Sequence, residues 1–246
     1  MRLLCLFIVL TANLAAQPST ELFSKASVCY EQMEYDSALV HYKAIESIPI
    51  YSSDLYYNMA NCYYKKHQTA KAVLYYEKVL KLKPNDEDTQ FNLKLVQLQL
   101  VDRLAVIPTP FYTKWMTSIK QVFSIDQWAK LGLVFLFVFS LAISWFLIST
   151  NYALKKKFFS LLTLSLLFSL IALGISYYSF STQEHTAILM TANAYVKSAP
   201  SLQSEDLFIL HEGTKVVVLE VFNDWTKIKL SDGMIGWLEN ELIAPI

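Results

Sequence analysis

Apolar residues follow three different spacings along the chain, and each spacing predicts a different kind of structure. In residues 17–106 they recur three and four positions apart, which is the period of a helix with one buried face. Residues 131–149 and 158–180 form two long apolar runs without a single charge. In residues 184–246, short alternating runs separated by turn residues predict β-strands. The expected fold combines an all-α region, an apolar helical hairpin and a small all-β barrel.

The two uncharged runs are long enough to cross a membrane. About 20 residues at 1.5 Å per residue cover the roughly 30 Å hydrocarbon core of a bilayer. We therefore predict a multidomain membrane protein with transmembrane helices at 131–149 and 158–180, joined by a loop at 150–157. Buried core helices of a soluble protein are the alternative. Aromatic residues lie near the ends of the runs, where membrane interfaces favour them: Trp128, Trp145, Tyr177 and Tyr178.

Positive charges near the runs bear on which side the loop faces. Lys155, Lys156 and Lys157 fall in the loop, and the positive-inside rule places such a loop in the cytoplasm. Lysines on the other flank nearly balance them: Lys114, Lys120 and Lys130. The lysines alone therefore do not fix the orientation.

The N-terminus supplies the missing orientation signal. Arg2 precedes an apolar stretch from Leu3 to Leu10, and small residues follow it, which is typical of a secretory signal peptide over residues 1–16. Leu14 is unfavourable for cleavage, so an uncleaved anchor is the alternative. In either case the helical region leaves the cytoplasm and the hairpin returns the last segment to the same side. We expect a membrane protein whose two soluble domains face the same extracytoplasmic space.

The helical region contains an internal repeat. In LYYNMANCYYKKHQTAKAVLYYEKVLKLKPND, Ala60 and Ala72 are small where two antiparallel helices approach each other, and Pro84 ends the second helix. Ala38 stands in the equivalent place one period earlier, since positions 38 and 72 differ by 34. This period and this order of residue types resemble the tetratricopeptide repeat, a helix–turn–helix unit of 34 residues.

The repeats leave a surface that is suited to partner binding. Two repeats and a capping helix in DEDTQFNLKLVQLQLVDRLA make up residues 17–106, which is close to the smallest stable array. The concave surface of such an array suits a peptide or a helix of another protein. For Asn58 and Asn61 the alternative to partner contact is ordinary solvent-exposed helix surface. The candidate contact residues are Tyr57, Asn58, Asn61 and Lys65.

Residues 107–130 connect the repeats to the first apolar run. Pro108 and Pro110 end the helical array. The aromatic and aliphatic residues that follow are spaced four, four, four and five apart, which indicates one helical stripe that lies in the membrane interface. Continuation of the repeat domain is the alternative. The stripe consists of Phe111, Trp115, Ile119, Phe123 and Trp128.

Residues 184–246 carry the signals of a small β-barrel. Asp232-Gly233 separates two alternating runs, and this dipeptide favours a hairpin because the turn needs positive φ. The segments AYVKSAP, LHEGTKVVVLE, DWTKIKL and DGMIGWLENELI together resemble a bacterial SH3-like domain. Many members carry Asn-Val-Arg where this chain has Tyr195, Val196 and Lys197. Tyr195, Trp225 and Trp237 form the candidate surface. Two interpretations of these residues therefore stay open, packing and ligand binding.

Composition and side-chain chemistry exclude several classes of function. The 21 basic and 21 acidic residues balance, so the chain lacks the basic surface that a nucleic-acid partner requires. The four histidines are scattered, and no phosphate loop or nucleophile motif is present. Cys29 and Cys62 fall at buried-type positions, so free thiols are predicted, with a disulfide as the alternative. We expect a binding protein without cofactor or metal, and not an enzyme.

The order of these parts, together with FNLKLVQLQLVDR, DQWAK and LHEGTKV, resembles the BatE-type repeat proteins of bacterial aerotolerance (Bat) operons. The resemblance implies an envelope protein that works beside von Willebrand A-type Bat membrane proteins and a MoxR-type ATPase, in a system linked to stress or oxygen tolerance. Three hypotheses for function follow. The chain is an adaptor that binds partner proteins through its repeats, a cell-wall sensor that binds peptidoglycan through the SH3-like domain, or a general holder of unfolded chains.

Overall fold

The computed structural model describes residues 19–48, 51–102 and 110–246. The predicted signal peptide, residues 1–16, lies outside them. The chain folds into two compact units. One unit combines the repeat helices with the β-domain, and the other holds the long apolar helices.

The repeat region forms antiparallel helix pairs followed by a single helix. Its helices are residues 19–31 (α1), Tyr35–Glu46 (α2), Ser53–Lys65 (α3), Thr69–Leu82 (α4) and Glu87–Gln97 (α5). The small residues predicted at the helix contacts, Ala38, Ala60 and Ala72, are fully buried, and so is Ala26 on α1. Hydroxyl and carboxylate caps begin α3 and α5, where Ser52 and Asp86 accept hydrogen bonds from backbone N–H groups three residues later.

Both helix pairs turn in the same way. The chain adopts a left-handed conformation at Met33, with φ of 62°, and at His67, with φ of 56°. After each turn the same backbone bond forms, from the Glu34 N–H to the Cys29 carbonyl and from the Gln68 N–H to the Tyr63 carbonyl. Positions 33 and 67 differ by the 34 residues of the repeat, so the turn geometry supports two copies of one unit.

The β-domain is an antiparallel sheet of seven strands. They are His185–Leu189 (β1), Asn193–Lys197 (β2), Asp206–His211 (β3), Lys215–Phe222 (β4), Trp225–Lys229 (β5), Ile235–Glu239 (β6) and Ile243–Pro245 (β7). Their order across the sheet is β3-β2-β6-β5-β4-β1-β7. The predicted hairpin at Asp232-Gly233 joins β5 to β6, and Gly233 has φ of 91°. Inward-facing residues such as Ala187 and Leu189 fill the core of the domain.

The β-domain packs directly onto the repeat helices. Ile188 points away from the barrel core and is fully buried within the repeat core. The Lys215 ammonium lies 2.6 Å from the Glu77 carboxylate, and Lys81 donates to the Ile246 carbonyl over 2.6 Å. The sequence predicts the repeats and the barrel as separate modules, with α5 as the terminal cap of the array. The structure joins them, so the barrel and α5 together cover the end of the array.

The capping helix α5 buries only part of its apolar surface. Leu93 and Val96 are buried against the repeats, whereas Phe91 is exposed. The barrel supplies apolar contacts beside those of α5, from Ile188, Met190, Ala244 and Ile246. An array of only two repeats is therefore completed by a segment that lies on the far side of the hairpin in the sequence.

The connecting region and the apolar runs form three helices. They are Phe111–Val122 (α6), Ile125–Ile148 (α7) and Tyr152–Ser181 (α8). The last two are long and apolar enough to cross a membrane. The predicted single stripe over 107–130 is interrupted, because α6 ends at Val122 and a capping box of Ser124 and Gln127 starts α7.

The hairpin loop is shorter than predicted. Lys155, Lys156 and Lys157 were expected in a loop at 150–157, but they lie in the first turns of α8. The physical reason is that Asn151 caps the helix by accepting from the Ala153 N–H over 2.9 Å. Lysine and leucine then favour helix, so the helix begins well before the uncharged run. The lysines still mark the turn end of the hairpin.

The hairpin packs through small and hydroxyl residues. Ser169 donates to the Gly132 carbonyl over 2.9 Å, and Ser176 donates to the Ile125 carbonyl over 3.0 Å. A Cβ at Gly132 would meet Leu173 at 2.6 Å, so α7 and α8 approach too closely there for a larger residue. Large apolar residues such as Phe137 and Leu170 face outward. This inside-out polarity is typical of helices packed within lipid. The buried α8 seam is Ser165, Ser169, Ala172, Ser176 and Ser179.

Replacing Ile188 should weaken both halves of the first unit. Ile188→Ala removes a fully buried side chain from the interface, which should cost about 2–5 kcal/mol. We expect faster hydrogen exchange in α4 as well as in β1, measured on the detergent-solubilised protein. The matched control is Ile235→Ala, because Ile235 lies in the same barrel and is exposed. Equal exchange in α4 for the two variants would contradict the packing role of Ile188.

Candidate functional site

The candidate residues on α3 are held by contacts with the neighbouring helices. The Asn92 amide donates to the Tyr57 hydroxyl over 3.0 Å, and the Tyr57 ring packs edge-on against Tyr76. The Tyr76 hydroxyl donates to Asn61 over 2.5 Å. Burial, and after it the neighbouring tyrosine Tyr57, raises the pKa of Tyr76, so its phenol stays protonated and serves as the donor. Tyr57 and Asn61 are thus half-buried and oriented.

A polar cleft lies between α3 and the start of α5. Its cavity volume is about 200 Å³. Asn58 and Tyr57 line one wall, while Lys65 is exposed at the end of α3 and is not among the lining residues. Three of the four predicted residues, Tyr57, Asn58 and Asn61, therefore belong to the cleft or its supporting network, and Lys65 does not. The lining residues are Ser53, Asp54, Tyr57, Asn58, Val79, Asp86 and Asp88.

The acidic wall of the cleft was missed from the sequence. Asp54, Asp86 and Asp88 contribute three carboxylates, and Asp86 also accepts from the Thr89 N–H over 2.9 Å as the cap of α5. A cap at the start of an α-helix is recognisable in sequence, but its position beside α3 follows only from the stacking of the helices. A cleft with this lining suits a polar or cationic segment better than an apolar one.

The Cys62 thiol is buried and protonated. Cys29 and Cys62 are free thiols, in line with the prediction. Cys62 is fully buried, and that burial raises the pKa of its thiol to about 12. Within the ranges that the structure describes, no three His, Cys, Asp or Glu side chains are grouped to hold a metal ion.

The aromatic candidates of the barrel share one face. Residues that pair directly across antiparallel strands point to the same side, and Lys197 pairs with Trp237, which pairs with Lys227. Tyr195 and Trp225 lie two residues along β2 and β5 from these partners, so they belong to the same face. Tyr195 is 55% exposed, whereas both tryptophans are half-buried.

This aromatic face is separate from the surface that contacts the repeats. The repeats contact β1, β7 and the turn between β3 and β4. The aromatic face extends over β2, β6 and β5, where the Lys227 ammonium lies 5.7 Å from the centre of the Trp237 ring. Docking of the barrel on the repeats therefore leaves Tyr195, Trp225 and Trp237 accessible to a ligand.

One carboxylate joins the repeat domain to the barrel. The Asp102 carboxylate accepts from the His211 N–H and from the Thr214 hydroxyl, each over 2.7 Å. The His211 ring Nδ1 lies 2.7 Å from the other oxygen. Burial acts to raise the pKa of Asp102, but the hydrogen bonds from His211 and Thr214 outweigh it and lower that pKa. We call these three residues the clasp.

The turn of the clasp is shaped for a close approach. Gly213 adopts φ of 83° between His211 and Thr214. A Cβ there would meet the Leu100 side chain at 2.4 Å. Glycine is therefore favoured by the backbone conformation, and a larger residue at this position would also require the Leu100 side chain to move.

The comparisons with known families match two segments of the chain. A tetratricopeptide repeat model matches residues 53–86, which are α3, α4 and the loop up to Asp86, the residue that caps α5. A bacterial SH3 domain model matches residues 192–244. The chain contains both domains. These matches confirm the predictions of a tetratricopeptide repeat and of an SH3-like barrel. A comparison with curated proteins found no match.

Removing the charge of the clasp should loosen the docked barrel. Asp102→Asn keeps the shape of the side chain but loses the charged acceptor of three hydrogen bonds, and bonds to charged groups contribute about 1.5–3 kcal/mol each. We expect the free energy of unfolding to fall by about 2–3 kcal/mol at neutral pH. Chemical denaturation in detergent measures it.

The effect of Asp102→Asn should depend on pH. Because folding lowers the pKa of Asp102, its carboxylate stabilises the fold above the ordinary aspartate pKa of about 3.9, and that contribution is lost as the pH falls through the lowered value. The difference between wild type and variant should therefore shrink in acid. Asp224→Asn, at an exposed turn of the same barrel, is the control. A difference that persists below the lowered pKa would show that the charge is not responsible.

Proposed function

We propose that the chain is a membrane-anchored adaptor in which the repeat cleft holds a partner protein outside the cytoplasm. A tetratricopeptide repeat indicates protein–protein interaction, and a bacterial SH3 domain indicates binding at the cell wall. The observation that carries the proposal is the cleft, where Tyr57 is oriented by Asn92 and Tyr76 beside an acidic wall. Preorganised side chains of this kind lower the cost of ordering a bound segment.

Contacts between residues that precede and follow the hairpin support the proposal that both domains lie on the same side of the membrane. Asp102 precedes α7 and α8 in the chain, and its partner His211 follows them. If these helices cross a membrane, the chain must cross and return for the contact to form. Lys155, Lys156 and Lys157 lie at the opposite end of the hairpin, which by the positive-inside rule favours the cytoplasm. We propose an inner-membrane protein with periplasmic domains on this basis.

The polarity of the hairpin supports membrane insertion. In a soluble protein the serines of α8 would face water and the leucines would be buried. Here Ser165 and Ser169 are buried, whereas Phe137 and Leu170 are exposed. In lipid this arrangement is favourable both for the exposed apolar side chains and for the buried serines.

The partners of the adaptor are proposed from its resemblance to BatE-type proteins. That resemblance favours von Willebrand A-type Bat membrane proteins, with a MoxR-type ATPase in the same system. Envelope stress or oxygen tolerance is the corresponding role. A holder of unfolded chains would instead recover many unrelated proteins in a pull-down.

A charge reversal inside the cleft should reduce recovery of the partner. Asp88→Lys places a cation on the acidic wall, so we expect severalfold lower recovery of co-purifying proteins from native membranes, measured by quantitative mass spectrometry. Glu87→Lys is the matched control, because Glu87 is the preceding exposed residue of the same first turn and does not line the cleft. Equal recovery by the two variants would refute binding in the cleft. Deleting the repeats is less informative, since it would also expose Ile188 of the barrel.

A second candidate function is recognition of the cell wall by the SH3 domain. The observation that favours it is the aromatic face, which stays accessible while the barrel is docked. Aromatic rings beside lysines suit the sugar and peptide groups of peptidoglycan. Tyr195→Ala and Trp237→Ala should then reduce sedimentation of the full-length protein with cell-wall sacculi severalfold.

The control for the sacculus experiment is Tyr51→Ala. Tyr51 is more exposed than Tyr195 and lies in the repeat region. Loss of sedimentation in Tyr195→Ala and Trp237→Ala with retention in Tyr51→Ala would support cell-wall binding. Sedimentation unchanged in all three variants would exclude the aromatic face as the binding surface.

A further inference from the structure

The helix α6 presents a solvent-exposed apolar face. Phe111 is 85% exposed, Trp115 is 66% exposed and Val122 is 51% exposed. These positions are four and seven residues apart, so they lie on one stripe of the helix. The opposite side carries Thr117 and Gln121, which are exposed polar residues. Exposure of such a stripe to water would be unfavourable, because it carries the large aromatic side chains of Phe111 and Trp115.

The length of α6 limits what the stripe can contact. Its 12 residues extend about 18 Å at 1.5 Å per residue, which is too short to cross a bilayer of about 30 Å. A helix of this length with apolar residues is either a buried core helix or an interfacial one. The exposure of Phe111 and Trp115 excludes the core helix.

A lysine fixes α6 at the end of the hairpin. The Lys120 ammonium donates to the Thr182 hydroxyl over 2.6 Å and lies 4.9 Å from the centre of the Tyr178 ring. Thr182 is the residue that follows α8, and Ile125, three residues after α6, begins α7. The end of α6 therefore lies at the level where one candidate span begins and the other ends.

The chemistry of α6 matches the headgroup layer at that level. Tryptophan and tyrosine are enriched there because one part of the ring is apolar and another is polar. Trp115, Tyr177 and Tyr178 are all exposed at this end of the unit. The helix contains Lys114 and Lys120 but no acidic residue, so it is attracted to anionic lipid headgroups.

We propose that α6 is an interfacial helix, with its Phe111, Trp115 and Val122 face embedded in the lipid headgroup layer beside α7 and α8. The inference rests on the proposed membrane insertion of those two helices. It gives α6 a function. This helix forms a strap that holds the chain on the membrane surface before α7 enters the bilayer.

Spin labels can locate the face of α6 in the intact protein. A nitroxide is attached to Cys introduced by Trp115→Cys, in full-length protein whose own cysteines are replaced. The protein is reconstituted in nanodiscs of phosphatidylethanolamine and phosphatidylglycerol. We expect the ratio of oxygen to nickel-chelate accessibility at position 115 to be severalfold higher than at position 117 after Thr117→Cys, because oxygen concentrates in lipid and the chelate in water.

A third label tests the membrane insertion of α7 separately from the interfacial position of α6. Phe137→Cys places the nitroxide on the exposed side of α7, where membrane insertion requires a lipid environment. If position 137 is in lipid and position 115 is as accessible to the chelate as position 117, the interfacial helix is refuted while the membrane anchor stands. If position 137 is itself in water, the anchor and the helix proposal both fall. Dipolar broadening between labels at position 115 of two copies would identify a second chain as the occupant and would also overturn the proposal.

Discussion

The hydrogen bonds of Asp102 with His211 and Thr214 join parts of the chain that are more than 100 residues apart. The whole apolar hairpin lies between them in the sequence. For the contact to form, the hairpin must return the chain to the side from which it left. The same contact positions the barrel so that Ile188 enters the repeat core and Lys215 meets Glu77. The clasp therefore connects the topology of the chain with the stability of its first unit.

Docking also explains how so short a repeat array can be stable. Each repeat buries its apolar face only against a neighbour, and two repeats with one further helix leave the last face incompletely covered. In this chain α5 contributes Leu93 and Val96, while β1 contributes Ile188. The SH3 domain thus provides apolar surface that a third complete repeat would otherwise supply, and it does so through its outer surface without using the aromatic face.

Local signals in the sequence predicted the elements but not their contacts. Ala60 and Ala72 were recognisable because close helix packing needs small residues at repeat spacing, and Gly233 was recognisable because its turn needs positive φ. The left-handed turn at Met33 carries no such signal, because methionine does not favour that conformation, and the histidine at position 67 gives only a weak signal. The early start of α8 was missed because three charged lysines suggested a loop, whereas lysine is a good helix former in water. The clasp could not be predicted, because no periodicity relates Asp102 to His211.

The candidate cleft and the clasp are connected by one short helix. Asp86 and Asp88 at the start of α5 form the acidic wall, and Asp102 follows its other end. Helix α5 has 11 residues, which corresponds to about 16 Å. Leu93 and Val96 pack its middle against the repeats, so neither end can shift far without disturbing that packing. A substitution at the clasp therefore acts on a helix that also shapes the cleft, and effects of changes at the two ends of α5 should not be strictly additive. Asp88→Lys is therefore best compared with Glu87→Lys, because both residues are exposed in the first turn of α5 and only Asp88 lines the cleft.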